Sequence, residues 1–215
     1  SNPGHIEVPV NIPGKDCRIF AGGGLVARTG ELCREAGFGG SCAIITDENV
    51  GRLHAAAVHD SLERAGYAAQ ILAVPAGEQS KCMAAVENLC DRMIAAGLDR
   101  GSFVVALGGG VAGDLAGFVA AVYQRGIPFA QIPTTIVAQV DSAIGGKTGV
   151  NARAGKNLIG SGMLGEYFRQ FVSYGVIALA LVLYEWKRVT QENDSRATLR
   201  GGASPAAKGA KGGAA

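Results

Sequence analysis

Short blocks of apolar residues, separated by glycine-containing turns, recur along the first 160 positions of the chain. The first two blocks, residues 6–12 and 17–21, flank Pro13 and Gly14, and this turn chemistry predicts an opening β-hairpin. After the hairpin, stretches with helical spacing alternate with short strand-like runs. The predicted helices are residues 25–36, 50–65, 81–96 and 114–123, and the predicted strands are residues 42–46, 69–74, 103–107 and 129–132.

Strands that alternate with helices of this length predict βαβ crossovers. The expected fold class is therefore α/β, a Rossmann-like and mostly parallel sheet with helices on both faces, opened by the β-hairpin. Ligands of such sheets bind beyond the carboxyl ends of the strands. The loops that follow the strands are consequently the first place to look for chemistry.

The pattern changes after residue 160. An apolar run at 171–184 is followed by a polar segment and then by an end rich in Gly, Ala and Lys. We predict an α/β domain at 1–160, an atypical apolar helical segment at 161–195 and a low-complexity, disordered tail at 196–215. We expect residues 161–215 to reflect a frameshift, a truncation or a fusion; the alternative is a natural short protein whose apolar helix covers exposed surface.

Composition and charge exclude several classes of function. The formal charge is +2, and Lys and Arg are scattered, so a nucleic acid partner is not expected. The apolar run in the tail has about 14 residues, fewer than the roughly 18 to 20 that cross a bilayer, so a membrane span is not expected either. The five cysteines are odd in number and irregularly spaced, which predicts reduced thiols and a cytoplasmic protein without a secretory signal.

The strongest local motif is the segment 108–114, Gly-Gly-Gly-Val-Ala-Gly-Asp, which follows a predicted strand and precedes a helix. This is the context that a G-x-G-x-x-G nucleotide motif requires. Glycines such as Gly109, Gly110 and Gly113 let backbone N–H groups approach a pyrophosphate, and the helix N-terminus adds partial positive charge. The motif lies deep in the chain and no acid follows about 20 residues later, unlike the usual fingerprint. A tight turn without a ligand is the alternative.

Two further loops follow strands of the same predicted sheet. Asp47 and Asn49 come directly after one strand and could bond to hydroxyl groups, although Asp and Asn at this position are also typical of a helix cap. Glu78 and Lys81 follow the next strand, where a solvated loop is the alternative. Because the carboxyl ends of parallel strands meet at one edge, a shared nucleotide site is favoured over independent accidents.

The densest polar cluster extends from Thr134 and Thr135 through Asp141 and on to residue 157. Glycines frame its two lysines, and such loops lose much backbone entropy when they are ordered. Lysine is suited to holding phosphate or carboxylate oxygens, so Lys147 and Lys156 are candidate anion ligands. A glycine-rich hairpin with surface lysines is the alternative.

Between residues 106 and 160 the motifs GGGVAGD, YQRG, PTT, AQVDS, GGKTGVN and GKNLIG resemble the dehydroquinate synthase family. With GEQSK and the Asp47 segment, the similarity extends over about residues 6 to 160. The resemblance implies an NAD site, and it places Asp141, Lys147, Lys156 and Asn157 where cofactor and substrate meet. Arg125 resembles an arginine that reaches across a homodimer to the substrate phosphate. The implied NAD-site residues are Asp47, Asn49, Glu78, Lys81, Gly109, Gly110, Gly113, Asp114, Thr134 and Thr135, to which we add Lys147 and Lys156.

The family uses NAD as a recycled oxidant to close a sugar acid phosphate into a carbocycle in the shikimate pathway of aromatic amino acid biosynthesis. It also uses zinc or cobalt, held by one Glu and two His of a helical second domain. The only histidines here are His5, His54 and His59, so we predict no metal ligands in this chain and a largely missing second domain. We expect the chain alone to be inactive; the alternatives are a non-catalytic NAD-binding module, another sugar-phosphate cyclase and a glycerol-dehydrogenase-like enzyme.

Overall fold

The computed structural model describes residues 5–12, 15–143 and 148–160. Its first element is an antiparallel hairpin of β1 (His5–Ile12) and β2 (Lys15–Gly22). This confirms the predicted opening hairpin. The turn at residues 13–14, Lys147 and everything after residue 160 lie outside the described residues, so the predicted boundaries at 160 and 195 stay predictions.

A four-stranded parallel sheet forms the centre of the fold. Its spatial order is β4 (Ala69–Val74), β3 (Cys42–Asp47), β5 (Phe103–Gly108) and β6 (Phe129–Pro133). β5 and β6 are buried at every position, as expected for strands covered on both faces. All four strands agree with the predicted ones to within one residue, and the predicted α/β class is confirmed.

Helices connect these strands and cover both faces of the sheet. A 3-10 turn (Leu25–Arg28) leads into α1 (Thr29–Glu35). α2 (Glu48–Val50) continues through a π-helical turn (Gly51–Ala55) into α3 (Ala56–Arg64). The remaining helices are α4 (Met83–Ala95) and α5 (Gly110–Val122).

Two apolar clusters show which helices pack on which face. On one face, Val58 and Leu62 of α3 and Cys33 of α1 pack with strand residues such as Ile44 and Val105. On the other face, side chains of α4 and α5 pack with alternate residues of the same strands, including Leu89, Leu115, Val119, Ile45 and Ala106. Each fully buried aliphatic side chain contributes roughly 1.5–3 kcal/mol, so these two layers fix the orientation of the strand ends.

One local prediction was wrong. α5 begins at Gly110, four residues before the predicted start, because Gly113 packs tightly in the interior and tertiary contacts outweigh the weak helix propensity of glycine. The segment after β6 also contains a second antiparallel hairpin, β7 (Gly149–Ala152) and β8 (Gly155–Gly160). The hairpin is one of the two interpretations that the sequence allows for this segment, and the role of Lys147 and Lys156 as anion ligands stays a prediction.

The described cysteines Cys33, Cys42, Cys82 and Cys90 are free thiols, as predicted. Burial raises the pKa of Cys42 to about 12 and that of Cys33 still further.

Because the thiolate is the nucleophile, Cys33 and Cys42 should both resist iodoacetamide at pH 8 in the folded chain and react once urea unfolds it. Peptide mass spectrometry, with the partly exposed Cys82 as the reactive control, measures this. Labelling of Cys33 or Cys42 at the rate seen in urea would contradict the described burial.

Within the described residues, none of the helices combines the length and apolar character that a bilayer span requires.

Candidate functional site

The carboxyl ends of the four parallel strands bring the predicted loops to one edge of the sheet. The strand order reverses between β3 and β5, which is the position where open α/β sheets form a ligand crevice. A Cβ placed on Gly108, at the end of β5, would lie 3.4 Å from Asp47 Oδ2 at the end of β3. Next to them, the Thr134 N–H donates to the Gly108 carbonyl at 2.9 Å. Three of the predicted loops therefore meet at this crevice.

The glycines of the 108–114 segment have different roles. Gly108 has φ +154°, and a Cβ there would lie 2.6 Å from the Cβ of Ala112, so the turn itself requires glycine. Gly113 lets the helix approach Ser142 Oγ, which would be 2.9 Å from an added Cβ. Gly110 is the first helical residue, and a Cβ added there would meet no atom of another part of the chain within 4 Å. The turn and its packing explain Gly108 and Gly113, whereas Gly110 presents bare backbone to open space.

The helix-cap interpretation of Asp47 is confirmed for one of its two carboxylate oxygens. Its Oδ1 accepts hydrogen bonds from the N–H groups of Asn49 and Val50, at 2.9 and 3.0 Å. Such a cap contributes about 1 kcal/mol and fixes the carboxylate at the crevice. Asn49 lies beside it, exposed, and its Oδ1 accepts from Arg52 at 2.7 Å.

Lys81 is the central cation of the edge. Lys81 is only 4% exposed, which is unusual for a lysine. The ammonium group forms an ion pair with Asp114, the fifth residue of α5, and donates to Asn157 Oδ1 in β8 at 2.6 Å. One side chain therefore joins the loop after β4, the glycine-rich helix start and the second hairpin.

The partner carboxylate responds to this environment in two opposed ways. Burial raises the pKa of Asp114 above its ordinary value, and the hydrogen bond and charge of Lys81 only partly offset that rise. Ser142 Oγ donates to Asp114 Oδ1 at 3.3 Å, and the exposed Asp141 nearby disfavours the charged form. The raised pKa indicates that the Asp114 carboxylate is poorly hydrated. Lys81 is the main group that stabilises its charged form.

Asn151 connects the same hairpin to the loop after β4. Its Nδ2 donates to Glu78 Oε1 at 2.8 Å, and its Oδ1 accepts from the Asn157 N–H at 2.9 Å. The sequence alone assigns no role to Asn151 or to Ser142. Their positions within the motifs GGKTGVN and AQVDS were the only available signal.

The other predicted residues are placed less uniformly. Thr135 Oγ1 accepts from the Ala138 N–H at 3.2 Å, next to Gly109. Lys156 is exposed beside Asn157. Arg125 lies beyond the far end of α5, about 20 Å along the helix from the glycines, so this chain does not bring it to the crevice. Lys147 lies outside the described residues.

The histidines lie away from this edge. His54 is exposed, His59 faces Glu63 at 3.6 Å, and His5 Nδ1 is 2.9 Å from an Arg28 nitrogen. Among residues 5–12, 15–143 and 148–160, no group of three His, Cys, Asp or Glu side chains could share a metal ion. The described residues therefore do not fit a metal centre.

A separate surface groove of about 450 Å³ lies between α1 and α3 and contains none of the predicted site residues. Its charged groups are largely engaged. Arg28 forms a two-point contact with Glu31 at 2.8 Å, and Arg64 donates to the Ala27 carbonyl at 3.2 Å. The strand edge, which gathers the predicted residues, therefore remains the candidate functional site.

Fold and site define a doubly wound α/β domain whose switch-point crevice carries a glycine-rich helix start, the architecture typical of nucleotide-dependent enzymes. Residues 71–168 match the family model described as 3-dehydroquinate synthase N-terminal. The 3-dehydroquinate synthase of Geobacter sp. (strain M21) is 49% identical over 155 residues, which cover 72% of this chain and 43% of that protein. The chain belongs to the 3-dehydroquinate synthase family, and it spans less than half the length of the curated relatives it matches.

Solved structures of related cyclases share the fold. 2-Deoxy-scyllo-inosose synthase, solved with carbaglucose-6-phosphate, NAD+ and Co2+, is 28% identical with a TM-score of 0.70, and the match covers 80% of this chain and 45% of that one. ValA, a 2-epi-5-epi-valiolone synthase from Streptomyces hygroscopicus subsp. jinggangensis 5008 solved with NAD+ and Zn2+, is 32% identical with a TM-score of 0.57, covering 66% and 38%. These matches confirm the predicted family and its sheet architecture.

Proposed function

We propose that this chain supplies the NAD-binding half of a 3-dehydroquinate synthase, which converts 3-deoxy-arabino-heptulosonate 7-phosphate into 3-dehydroquinate and phosphate. The observation that carries the proposal is the junction of Lys81, Asp114 and Asn157 beside the accessible helix start at Gly109 and Gly110. The 49% identity to a curated synthase and the NAD+ in two solved relatives support it.

The described residues fit a dinucleotide at this edge. The N–H groups of Gly109 and Gly110 would donate to the pyrophosphate, where the helix N-terminus favours negative charge. Asp47, Asn49 and Glu78 would bind ribose hydroxyls, since each presents oxygen acceptors at the ends of β3 and β4. Lys81 and Asp114 would hold the two loops in register, with Thr134 and Thr135 on the β6 side.

The substrate end of the site would be formed by the cationic hairpin. Lys147 and Lys156 would bind the carboxylate or phosphate oxygens of the sugar acid, and Asn157 and Asp141 would orient its hydroxyl groups. Arg125 would act from a second copy in a homodimer, which agrees with its place at the far end of α5. When bound, NAD would supply a reversible hydride acceptor for a substrate hydroxyl; the ketone so formed on the substrate would acidify the adjacent C–H, so that this proton and the phosphate could be eliminated together.

Zinc or cobalt is implied by the family, yet the described residues offer no group that could hold it. We therefore derive no step through a metal ion for this chain. A second candidate function is an NAD-binding module that does not turn over, since the described residues at the strand edge fit a dinucleotide by themselves.

A paired experiment separates these functions. NAD is titrated calorimetrically into the purified 215-residue chain, and phosphate release from the heptulosonate phosphate is measured with NAD and added zinc or cobalt. Binding without release supports the module, and metal-dependent release supports the synthase. Reactions without NAD or with EDTA are the controls. A chain that ignores NAD at millimolar concentration would contradict both.

A further inference from the structure

We propose that Asn151 is a positioning residue that sets the geometry of Glu78, Lys81 and Asn157 at the nucleotide edge; this inference rests on the proposed function. It acts through these three residues and is not itself assigned a contact with the cofactor. The β7–β8 hairpin thereby becomes part of the nucleotide site.

Asn151 makes three hydrogen bonds to the residues it would position. Its backbone N–H donates to the Lys81 carbonyl at 2.8 Å, in a parallel bridge that pairs it with Cys82. Its side-chain Nδ2 donates to Glu78 Oε1 at 2.8 Å, across 73 positions of sequence. The hairpin is therefore attached to the loop after β4 by both the backbone and the side chain of one residue.

The third bond controls a residue with unusual backbone geometry. Asn157 has φ +54°, in the left-handed region that non-glycine residues rarely occupy. Its N–H donates to Asn151 Oδ1 at 2.9 Å, where the hairpin register shifts between Val150 and Ala152. A register irregularity of this kind redirects side chains, and here Asn157 Oδ1 accepts a hydrogen bond from the Lys81 ammonium group at 2.6 Å.

The two ends of the Asn151 side chain require an amide. The oxygen must accept from the Asn157 backbone N–H, so the nitrogen faces the Glu78 carboxylate, and the neighbours themselves fix this assignment. An aspartate at position 151 has the same shape and would still accept from the Asn157 N–H, but it would place a second carboxylate against that of Glu78. Like charges at this distance repel strongly in a partly buried site.

A double-mutant cycle tests the role, with the NAD dissociation constant of the purified full chain as the readout. The variants are Asn151→Asp, Glu78→Gln and the two combined, because Glu78→Gln supplies a donor for the new carboxylate and restores the hydrogen bond with reversed polarity. Asn88→Asp is the matched control, since it makes the same change at an exposed position of α4. Thermal unfolding of each variant is recorded in parallel.

We expect N151D to weaken NAD binding by about tenfold or more in the native background and by less than about threefold in the E78Q background. N88D should leave affinity unchanged in both. Equal weakening by N151D in the two backgrounds, or none in either, would overturn the inference while leaving the proposed function intact. If N151D alone does not fold, the comparison of E78Q/N151D with E78Q decides, and a large loss there overturns it. Failure of the native chain to bind NAD would instead count against the proposed function.

Discussion

Replacing Lys81 with methionine is expected to lower the free energy of unfolding by about 2–4 kcal/mol and to abolish measurable NAD binding. The substitution leaves the Asp114 carboxylate in a poorly hydrated position without its cation. This loss of stability is smaller than the loss on breaking a fully buried ion pair, because the Asp114 side chain is 20% exposed and water screens its charge in part. Urea unfolding at neutral pH and calorimetric NAD titration measure the two effects.

The stability of the K81M variant is expected to depend on pH through the Asp114 carboxyl group. Burial already raises the pKa of Asp114 in the folded chain, and loss of Lys81 removes the group that opposes that rise. A carboxyl group with a raised folded pKa stabilises the fold below its unfolded pKa and loses that contribution as pH rises through the folded value. The stability deficit of K81M should therefore shrink on going from neutral pH toward pH 4.

The double variant K81M/D114N controls for the buried charge. It removes both charges, so it should recover a large part of the stability that K81M loses while still failing to bind NAD. A K81M chain within about 0.5 kcal/mol of the native stability would contradict the described burial of the ion pair.

Replacing Gly110 with alanine is expected to weaken NAD binding by at least about tenfold while leaving the fold as stable as the native chain or slightly more stable. Beyond its chain neighbours and the backbone of its own helix, the added Cβ meets no protein atom within 4 Å, and alanine is the better helix former. The same Cβ would stand where the pyrophosphate must approach the backbone N–H groups. Calorimetric titration and thermal unfolding of the purified variant separate binding from stability.

Gly108→Ala is the contrasting control. Its φ of +154° and the 2.6 Å approach to the Ala112 Cβ predict a loss of stability independent of any ligand. If G110A bound NAD as tightly as the native chain, the glycine motif would be only a turn, and the alternative raised from the sequence would stand.

The sequence predicted the central sheet well for a physical reason. β5 and β6 are buried on both faces, so they appear as uninterrupted apolar runs bounded by turns. β7 and β8 carry few buried side chains and are flanked by glycine, and β7 is fixed partly by its bridge to Cys82 far away in sequence. Such tertiary contacts leave no periodic signal.

The candidate site divides in the same way. Parallel topology alone predicts that Asp47, Glu78 and the glycine motif share an edge, and the structure brings them there. The bonds of Asn151 to Glu78, and of Lys81 to Asn157, join residues 73 and 76 positions apart, so no local pattern could reveal them. For Asp47 the helix-cap interpretation is confirmed by one oxygen, whereas the other oxygen lies near Gly108 and its bond to a ligand hydroxyl stays a prediction.

The most direct test of the central claim follows the backbone amide signals of the 15N-labelled chain during an NAD titration. The account predicts that Gly109, Gly110 and Thr134 shift together with one dissociation constant, while the glycines of distant turns, Gly37 and Gly97, stay in place. Shifts confined to other regions, or none at millimolar NAD, would contradict a dinucleotide site at this edge of the sheet.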